Sequence, residues 1–474
     1  MKSIKKFYIT TTLPYVNAEP HIGFAMEIVH ADFIARYKRL KGEEVIFNTG
    51  TDEHGAKIYN TAQTAGKDTQ AYVDEYAAKF DELKKHLNLS YTNFIRTSNP
   101  QHKKAAQEFW KRCLHSGDIY KKLYKIKYCI GCELEKSDSE LEDGKCPIHP
   151  NLEIESREEE NYFFKWSNYQ KPLLEFYEKN PDFVLPDFRY NEIKEFVKSG
   201  LNDFSISRLK SKLPWGVEVP GDPEQVMYVW FDALVNYIST LGWPKDEKNF
   251  GDFWPGMQVA GKDNLRQQSA MWQAMLMSAK LPNSKQIIIH GFITSNGQKM
   301  SKSLGNVIAP FQLVEKYGID GTRFLIGQQL NTFVDSDITS ERLSESYTAY
   351  LSNGLGNLVA RVAKLCENSG FEAKEKITNF DPEVEKLLSE FKFNEALNWI
   401  WKIIQRADIR INETQPWKLE GIELKETLDE LVSLILDIAY NLQPFMPETS
   451  EKILDQFSGP IKSAPALFPR LTNQ

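Results

Sequence analysis

The start of the chain constrains the fold most. Phe7–Thr12 is a short, apolar, β-rich run, and Glu44–Asn48 (EVIFN) is a second. Between them Phe24, Ile28, Ala31, Ile34, Ala35 and Leu40 recur at helical spacing. Pro20 suits the first helical position, where its missing N–H is no loss, and Gly42 ends the helix. Strand, helix and strand in this order make a βαβ unit, whose two strands run parallel with a right-handed crossover. Parallel-sheet signals return at Val226–Phe231, Gln258–Ala260 and Gln286–His290. The expected fold class is α/β, built on a doubly wound parallel sheet.

At 474 residues the chain exceeds one ordinary core, so two or three domains are expected. The stretch from Tyr120 to about Trp215 has a different texture, with clustered cysteines, the acidic run Glu153–Glu160 and many aromatics. It reads as an insertion with its own small fold. After Asp337 nearly every segment has apolar residues at i, i+3 and i+4, as in ALNWIWKIIQRADIRINE, so a helical bundle closes the chain. The expected division is 1–117 and 226–337 for the two halves of the nucleotide-binding domain, 118–225 for the insertion, and 338–474 for a linker region and the bundle.

Composition narrows the setting. A net charge of −7 argues against broad, nonspecific polyanion binding but leaves room for a local basic patch. No run of about 18 apolar residues appears, so no membrane-spanning helix is expected. The N-terminus lacks the apolar core of a signal peptide. Of five cysteines, Cys113 and Cys366 stand alone, while Cys129-x2-Cys132-x13-Cys146-x2-His149 has the spacing of a four-ligand tetrahedral site. Four protein ligands leave no open position for chemistry, so a structural Zn²⁺ is expected. A thiol-rich metal pattern without a disulfide framework indicates a reducing, cytoplasmic compartment.

Two further stretches carry phosphate chemistry. In PYVNAEPHIGF a strand runs through a loop into a helix N-terminus, where unpaired N–H groups and the helix dipole attract anions. Gly23 lets a ligand approach the first turn, and His21 can donate to a phosphoryl oxygen. In GFITSNGQKMSKSLGN, Asn296-Gly297 signals a tight hairpin ahead of Lys299 and Lys302. Two lysines three apart on a flexible loop can neutralise charge developing on a polyphosphate.

PHIGF and KMSKS, in this order across an α/β chain, resemble the two signatures of class I aminoacyl-tRNA synthetases, whose catalytic domain is Rossmann-like. TGTDEHG (Thr49–Gly55), YVWFDALVNY (Tyr228–Tyr237), AGKD (Ala260–Asp263), GFITSNGQKMSKSLGN and the cysteine cluster resemble the methionyl-tRNA synthetase family, and the likeness covers essentially the whole chain. That resemblance implies that methionine is activated by ATP to methionyl-adenylate and then transferred to the 3′ end of tRNA(Met), initiator tRNA included. It implies that Asp52 holds the substrate ammonium and that Leu13, Tyr15, Trp230, Ala233, Tyr237 and Gln268 line the methionine pocket. It further implies that Gly261 and Asp263 contact the ribose and Glu27 the nucleotide, with His21, Gly23, Lys299 and Lys302 on the phosphates and Mg²⁺ accompanying ATP. The bundle would read the CAU anticodon through residues such as Asp408 and Trp417. The chain ends at the bundle, so a monomer is expected.

Several positions depart from the family pattern. Phe24 stands where a second histidine is usual, and Gln267 and Gln268 where an aromatic residue and a histidine are. Asp408 and Arg410 replace an asparagine and a tyrosine common beside the anticodon, and an acidic residue there would repel RNA. These departures leave open a synthetase-like protein with altered or lost activity. A class I synthetase for another amino acid is a further alternative, disfavoured by the length and by the TDEHG and WFDA contexts.

Overall fold

A computed structural model describes residues 4–132, 134–136, 140–299, 308–373 and 378–471. Lys302, with the rest of 300–307, lies outside the described residues. The chain divides into two compact units. Unit one comprises 1–19, 44–82 and 91–289; unit two comprises 20–43, 83–90 and 290–474.

Unit one contains a six-stranded sheet. Its strands are β1 (Lys6–Thr11), β2 (Glu44–Thr51), β3 (Asn93–Arg96), β4 (Val184–Leu185), β5 (Met257–Gly261) and β6 (Gln286–His290), in the order β3-β2-β1-β5-β6-β4. Neighbouring strands run parallel, β1 with β2 and β5, β2 with β3, and β6 with β4. Chain order runs outward in one direction from β1 to β3 and in the other from β5 to β6. The order therefore reverses between β1 and β5, and in such sheets ligands collect beyond the carboxyl ends of the strands at this point.

Val226–Phe231 does not add a strand to this sheet. Val226 and Met227 end an antiparallel strand (Asp222–Met227) in a separate three-stranded sheet, and a helix, Val229–Ala233, begins two residues later. All but Trp230 of these residues are buried, so an unbroken apolar run concealed the change of period.

The insertion is built on a long antiparallel pair, Ile119–Cys129 with Glu155–Phe164, in a four-stranded sheet. Across it Lys121 faces Tyr162 and Lys125 faces Glu158, alternating charge over a thin, exposed ribbon.

Unit two is largely helical. Ile22–Leu40 begins after His21, whose Nδ1 accepts from the Gly23 N–H at 3.1 Å. Ile22, not Pro20, is therefore the first helical position; His21 caps the helix and Pro20 lies one residue before the cap. Gly42 takes the left-handed conformation just past the C-terminus, as expected of a helix stop. Asn296 (φ 55°) and Gly297 (φ 71°) form the tight turn between Ile293–Ser295 and Gln298–Lys299. The Asp337 carboxylate accepts from Gly297 N at 2.8 Å and Thr294 Oγ1 at 2.7 Å, pinning the turn. Beyond it stand helices Ser340–Ser346, Asn357–Ser369, Pro382–Ser389, Phe393–Thr414, Gly421–Leu442 and Pro447–Gln456.

The core of unit two is riveted by a buried ion pair. Arg323 is fully buried and lies 2.8 Å from Asp32. It also donates to the carbonyls of Leu87, Pro444 and Phe445 at 2.9–3.0 Å. Asp32 in turn accepts from Arg36 and the Ser90 N–H, both at 2.7 Å. No described helix is long and apolar enough to cross a membrane.

Candidate active site

In unit one the expected methionine-pocket residues gather beyond the carboxyl ends of β1, β2 and β5. Leu13 and Tyr15 follow β1, and Asp52 follows β2. Tyr15 and Asp52 form a parallel bridge, with Asp52 N donating to Pro14 O at 3.0 Å and Val16 N to Asp52 O at 3.3 Å. Asp52 is buried, and its carboxylate accepts from His54 N at 3.4 Å and Thr97 Oγ1 at 3.5 Å. A buried carboxylate just beyond the end of β2 suits a cationic ligand.

The next residue is clamped. Glu53 is fully buried, accepts from Nε and Nη2 of Arg96 at 2.6 and 3.0 Å, and accepts from Thr51 Oγ1 at 2.7 Å. Its carbonyl takes the Trp215 indole N–H at 2.5 Å. Bidentate pairing of this kind fixes orientation, so the turn that presents Asp52 is rigid.

Tyr15 meets Trp230 edge to face, with ring centroids 6.3 Å apart. Trp230 and Ala233 lie on the Val229–Ala233 helix, and Tyr237 follows in Asn236–Ser239. Gln268 Nε2 donates to the Tyr237 hydroxyl at 2.5 Å, and Gln258 Nε2 donates to Gln268 Oε1 at 2.9 Å. Gln267 and Gln268 belong to a π-helical turn, Gln267–Met271, a local geometry frequent at functional sites. Gln268 is thus absorbed in a buried amide–phenol chain, while Oε1 of buried Gln267 has no hydrogen-bond partner among the described residues. Gly261 ends β5 in a buried position, and Asp263 follows it, exposed.

The remaining nucleotide candidates belong to unit two. Because Nδ1 of His21 accepts a backbone N–H, its neutral ring carries the proton on Nε2, a donor on an exposed side chain. Gly23 lies in the first turn. Phe24 is 8% exposed, so its ring is part of the core of that helix rather than a surface group. Glu27 is buried and pairs with His290 Nε2 at 2.8 Å. Lys299 ends its short strand.

In the bundle Trp417 stands out, 57% exposed on a short turn after the Phe393–Thr414 helix. Asp408 is 3.1 Å from Arg361, and Arg410 is 2.7 Å from Glu430. The charge of Asp408 is therefore countered within the bundle, which weakens the repulsion of RNA expected from the sequence.

The cysteine cluster closes as its spacing implies. Sγ of Cys129, Cys132 and Cys146 and a ring nitrogen of His149 all lie within 4.8 Å of one another. Cys132 Sγ is 3.2 Å from His149 Nδ1 and 3.4 Å from Cys146 Sγ. Ligand atoms about 2.0–2.3 Å from a tetrahedral Zn²⁺ stand at such separations from one another, so the donor set fits that ion. A Cβ on Gly131 would meet the His149 ring at 2.5 Å, so only glycine permits the turn to close on the histidine.

Sequence reasoning missed Asp232, His54 and His102, which lie together behind the pocket. Two are inside the quoted TDEHG and WFDA strings, yet nothing in their spacing joins them.

The model of the family described as tRNA synthetases class I (M) matches residues 7–152 and 137–363. The methionine–tRNA ligase of Thermotoga maritima is 41% identical over 96% of this chain and 75% of its own length. That of Thermosynechococcus vestitus is 39% identical over 98% of this chain and 92% of its own. Among solved structures, Mycobacterium tuberculosis methionyl-tRNA synthetase in complex with methionyl-adenylate superposes with a TM-score of 0.92, at 33% identity, covering 98% of this chain and all of that one. Sheet order, pocket constellation and near-full-length identity converge, and the chain belongs to the methionyl-tRNA synthetase family of class I aminoacyl-tRNA synthetases.

Proposed function

We propose that this chain is a methionine–tRNA ligase, activating methionine with ATP and transferring it to tRNA(Met). The observation that carries this reading is the corner made by Tyr15 and Asp52, a buried carboxylate beside the aromatic pair Tyr15–Trp230. A carboxylate suits an α-ammonium, and aromatic faces suit a flexible thioether.

Asp52 holds the substrate ammonium, leaving the methionine carboxylate to attack the ATP α-phosphate. A methionyl–adenylate anhydride forms as the bond to pyrophosphate breaks. A ribose hydroxyl of the tRNA 3′ end then attacks the activated carbonyl and AMP leaves. No protein nucleophile is needed; positioning and charge stabilisation supply the acceleration. His21 donates through Nε2–H to a phosphate oxygen, and Gly23 leaves the helix N-terminus open to it. Lys299 and Lys302 neutralise the leaving pyrophosphate, with Mg²⁺ bound to ATP. Gly261 and Asp263 bind the ribose, and Glu27 orients the nucleotide. Leu13, Ala233, Tyr237 and Gln268 complete the side-chain pocket.

Cys129, Cys132, Cys146 and His149 hold Zn²⁺, which cross-links the insertion and takes no part in the chemistry. In the bundle Trp417 stacks on an unpaired anticodon base and Asp408 lies beside it, with initiator tRNA among the substrates. In this reading 1–117 and 226–337 are the catalytic halves, 118–225 the insertion, and 338–474 the linker region and bundle. The enzyme works as a monomer in the cytoplasm. ATP–pyrophosphate exchange tests the reading: exchange should depend on methionine above all other standard amino acids, and no exchange at high enzyme concentration refutes it.

A further inference from the structure

Behind the candidate pocket of unit one lies a fully buried acid between two buried histidines. The Asp232 side chain is inaccessible to solvent, and its oxygens stand 3.3 and 3.4 Å from His54 Nδ1. On its other side His102 Nε2 is 3.6 Å away, and His102 Nδ1 reaches Ser239 Oγ at 3.0 Å. His102 is fully buried and His54 is 1% exposed.

The three residues tie together the elements that carry the pocket. Asp232 lies between Trp230 and Ala233 on the Val229–Ala233 helix. His54 follows Asp52 by two residues, and its backbone N–H donates to the Asp52 carboxylate at 3.4 Å. His102 belongs to the Pro100–His115 helix. These separations exceed the ~2.8 Å of a strong charge-assisted bond, so charge and orientation matter more here than tight pairing. Burial opposes ionisation of Asp232, but the field of His54 and the close imidazoles of His102 and His54 outweigh it and hold the carboxyl below its ordinary value. The Asp232 carboxyl, set between two buried histidines, therefore stands behind the wall that presents Asp52.

We propose that Asp232 is a positioning residue for amino-acid recognition. Through His54 it orients the turn that presents Asp52, so that the Asp52 carboxylate meets a ligand bearing an ammonium group. This rests on the methionine reading above.

The test uses the full chain and isothermal titration with methionine, with methioninol (ammonium kept, carboxylate removed) and with desamino methionine (ammonium removed). In Asp232→Asn, which keeps shape but removes charge, methionine and methioninol should each bind about 10–100-fold more weakly, the scale of a lost hydrogen bond to a charged group. Desamino methionine should bind as it does to the wild type. An equal loss for all three ligands would mean that Asp232 only supports the fold, and no loss for any would overturn the inference outright. If Asp232→Asn does not fold, His54→Asn is read in the same way. Failure of the wild type to exchange pyrophosphate with methionine removes the parent reading and this inference with it. Intact wild-type exchange with no ammonium-specific loss in the variants removes only the inference.

Discussion

His30 should make unit two acid-sensitive by a calculable amount. It is buried in the Ile22–Leu40 helix, with its ring 4.7 Å from that of Phe393 and 5.8 Å from that of Phe33. Burial, with a smaller contribution from His290, pulls its pKa from 6.5 to about 3. Between these values the unfolded chain binds a proton that the folded chain refuses. The stabilisation is therefore complete above the unfolded pKa and is lost as pH falls below it. At 1.36 kcal/mol per pKa unit, the contribution lost between pH 7.5 and pH 5 is about 2 kcal/mol. His30→Leu keeps an apolar side chain in the site and removes the titration. Urea unfolding followed by tryptophan fluorescence at pH 7.5, 6 and 5 measures both proteins. The wild type should lose about 2 kcal/mol more than the variant over that range. Parallel pH profiles would refute the reasoning, because they would mean that His30 titrates alike in both states.

Other perturbations test other parts of the account. Arg323→Met leaves Asp32 buried with one cation fewer and three backbone carbonyls without their donor, and should cost unit two about 3–5 kcal/mol in urea unfolding; a loss below 1 kcal/mol would contradict the rivet. Phe24→His restores a donor at the helix start and should raise the adenylation rate by up to about 100-fold; an unchanged or lower rate in pyrophosphate exchange would show the site rebuilt around the phenylalanine. Cys146→Ser should lower bound zinc, measured by atomic absorption, from one equivalent toward none. Chelation of the wild type should loosen the insertion, seen as protease cleavage within 118–225, while leaving the parallel sheet protected. Retained zinc in the variant would remove Cys146 from the ligand set.

What the sequence disclosed follows from how local each signal is. The helix Ile22–Leu40, the Asn296-Gly297 turn and the cysteine–histidine spacing depend on residues close in the chain, and each appears where expected. Val226–Phe231 misled because it is apolar whether strand or helix, so periodicity had nothing to report. The pairing of Gln268 with Tyr237, of Asp408 with Arg361 and of Asp232 with His54 and His102 joins residues far apart in sequence. These contacts decide which charges are countered and which hydroxyls are engaged. Gln267 and Gln268 stand out in the sequence only as departures from the family pattern; in the structure one amide is consumed in a buried chain, and the other has an oxygen with no hydrogen-bond partner among the described residues.

The central claim, that this chain carries both steps of methionine attachment, is tested most directly by charging. Purified protein, ATP, Mg²⁺, radiolabelled methionine and a tRNA bearing a CAU anticodon are combined, and acid-precipitable label is counted over time. The account predicts labelled tRNA that requires ATP and the CAU anticodon and that forms with methionine alone among the amino acids. Pyrophosphate exchange without any charging would limit the chain to adenylate formation, and the absence of both would contradict the account.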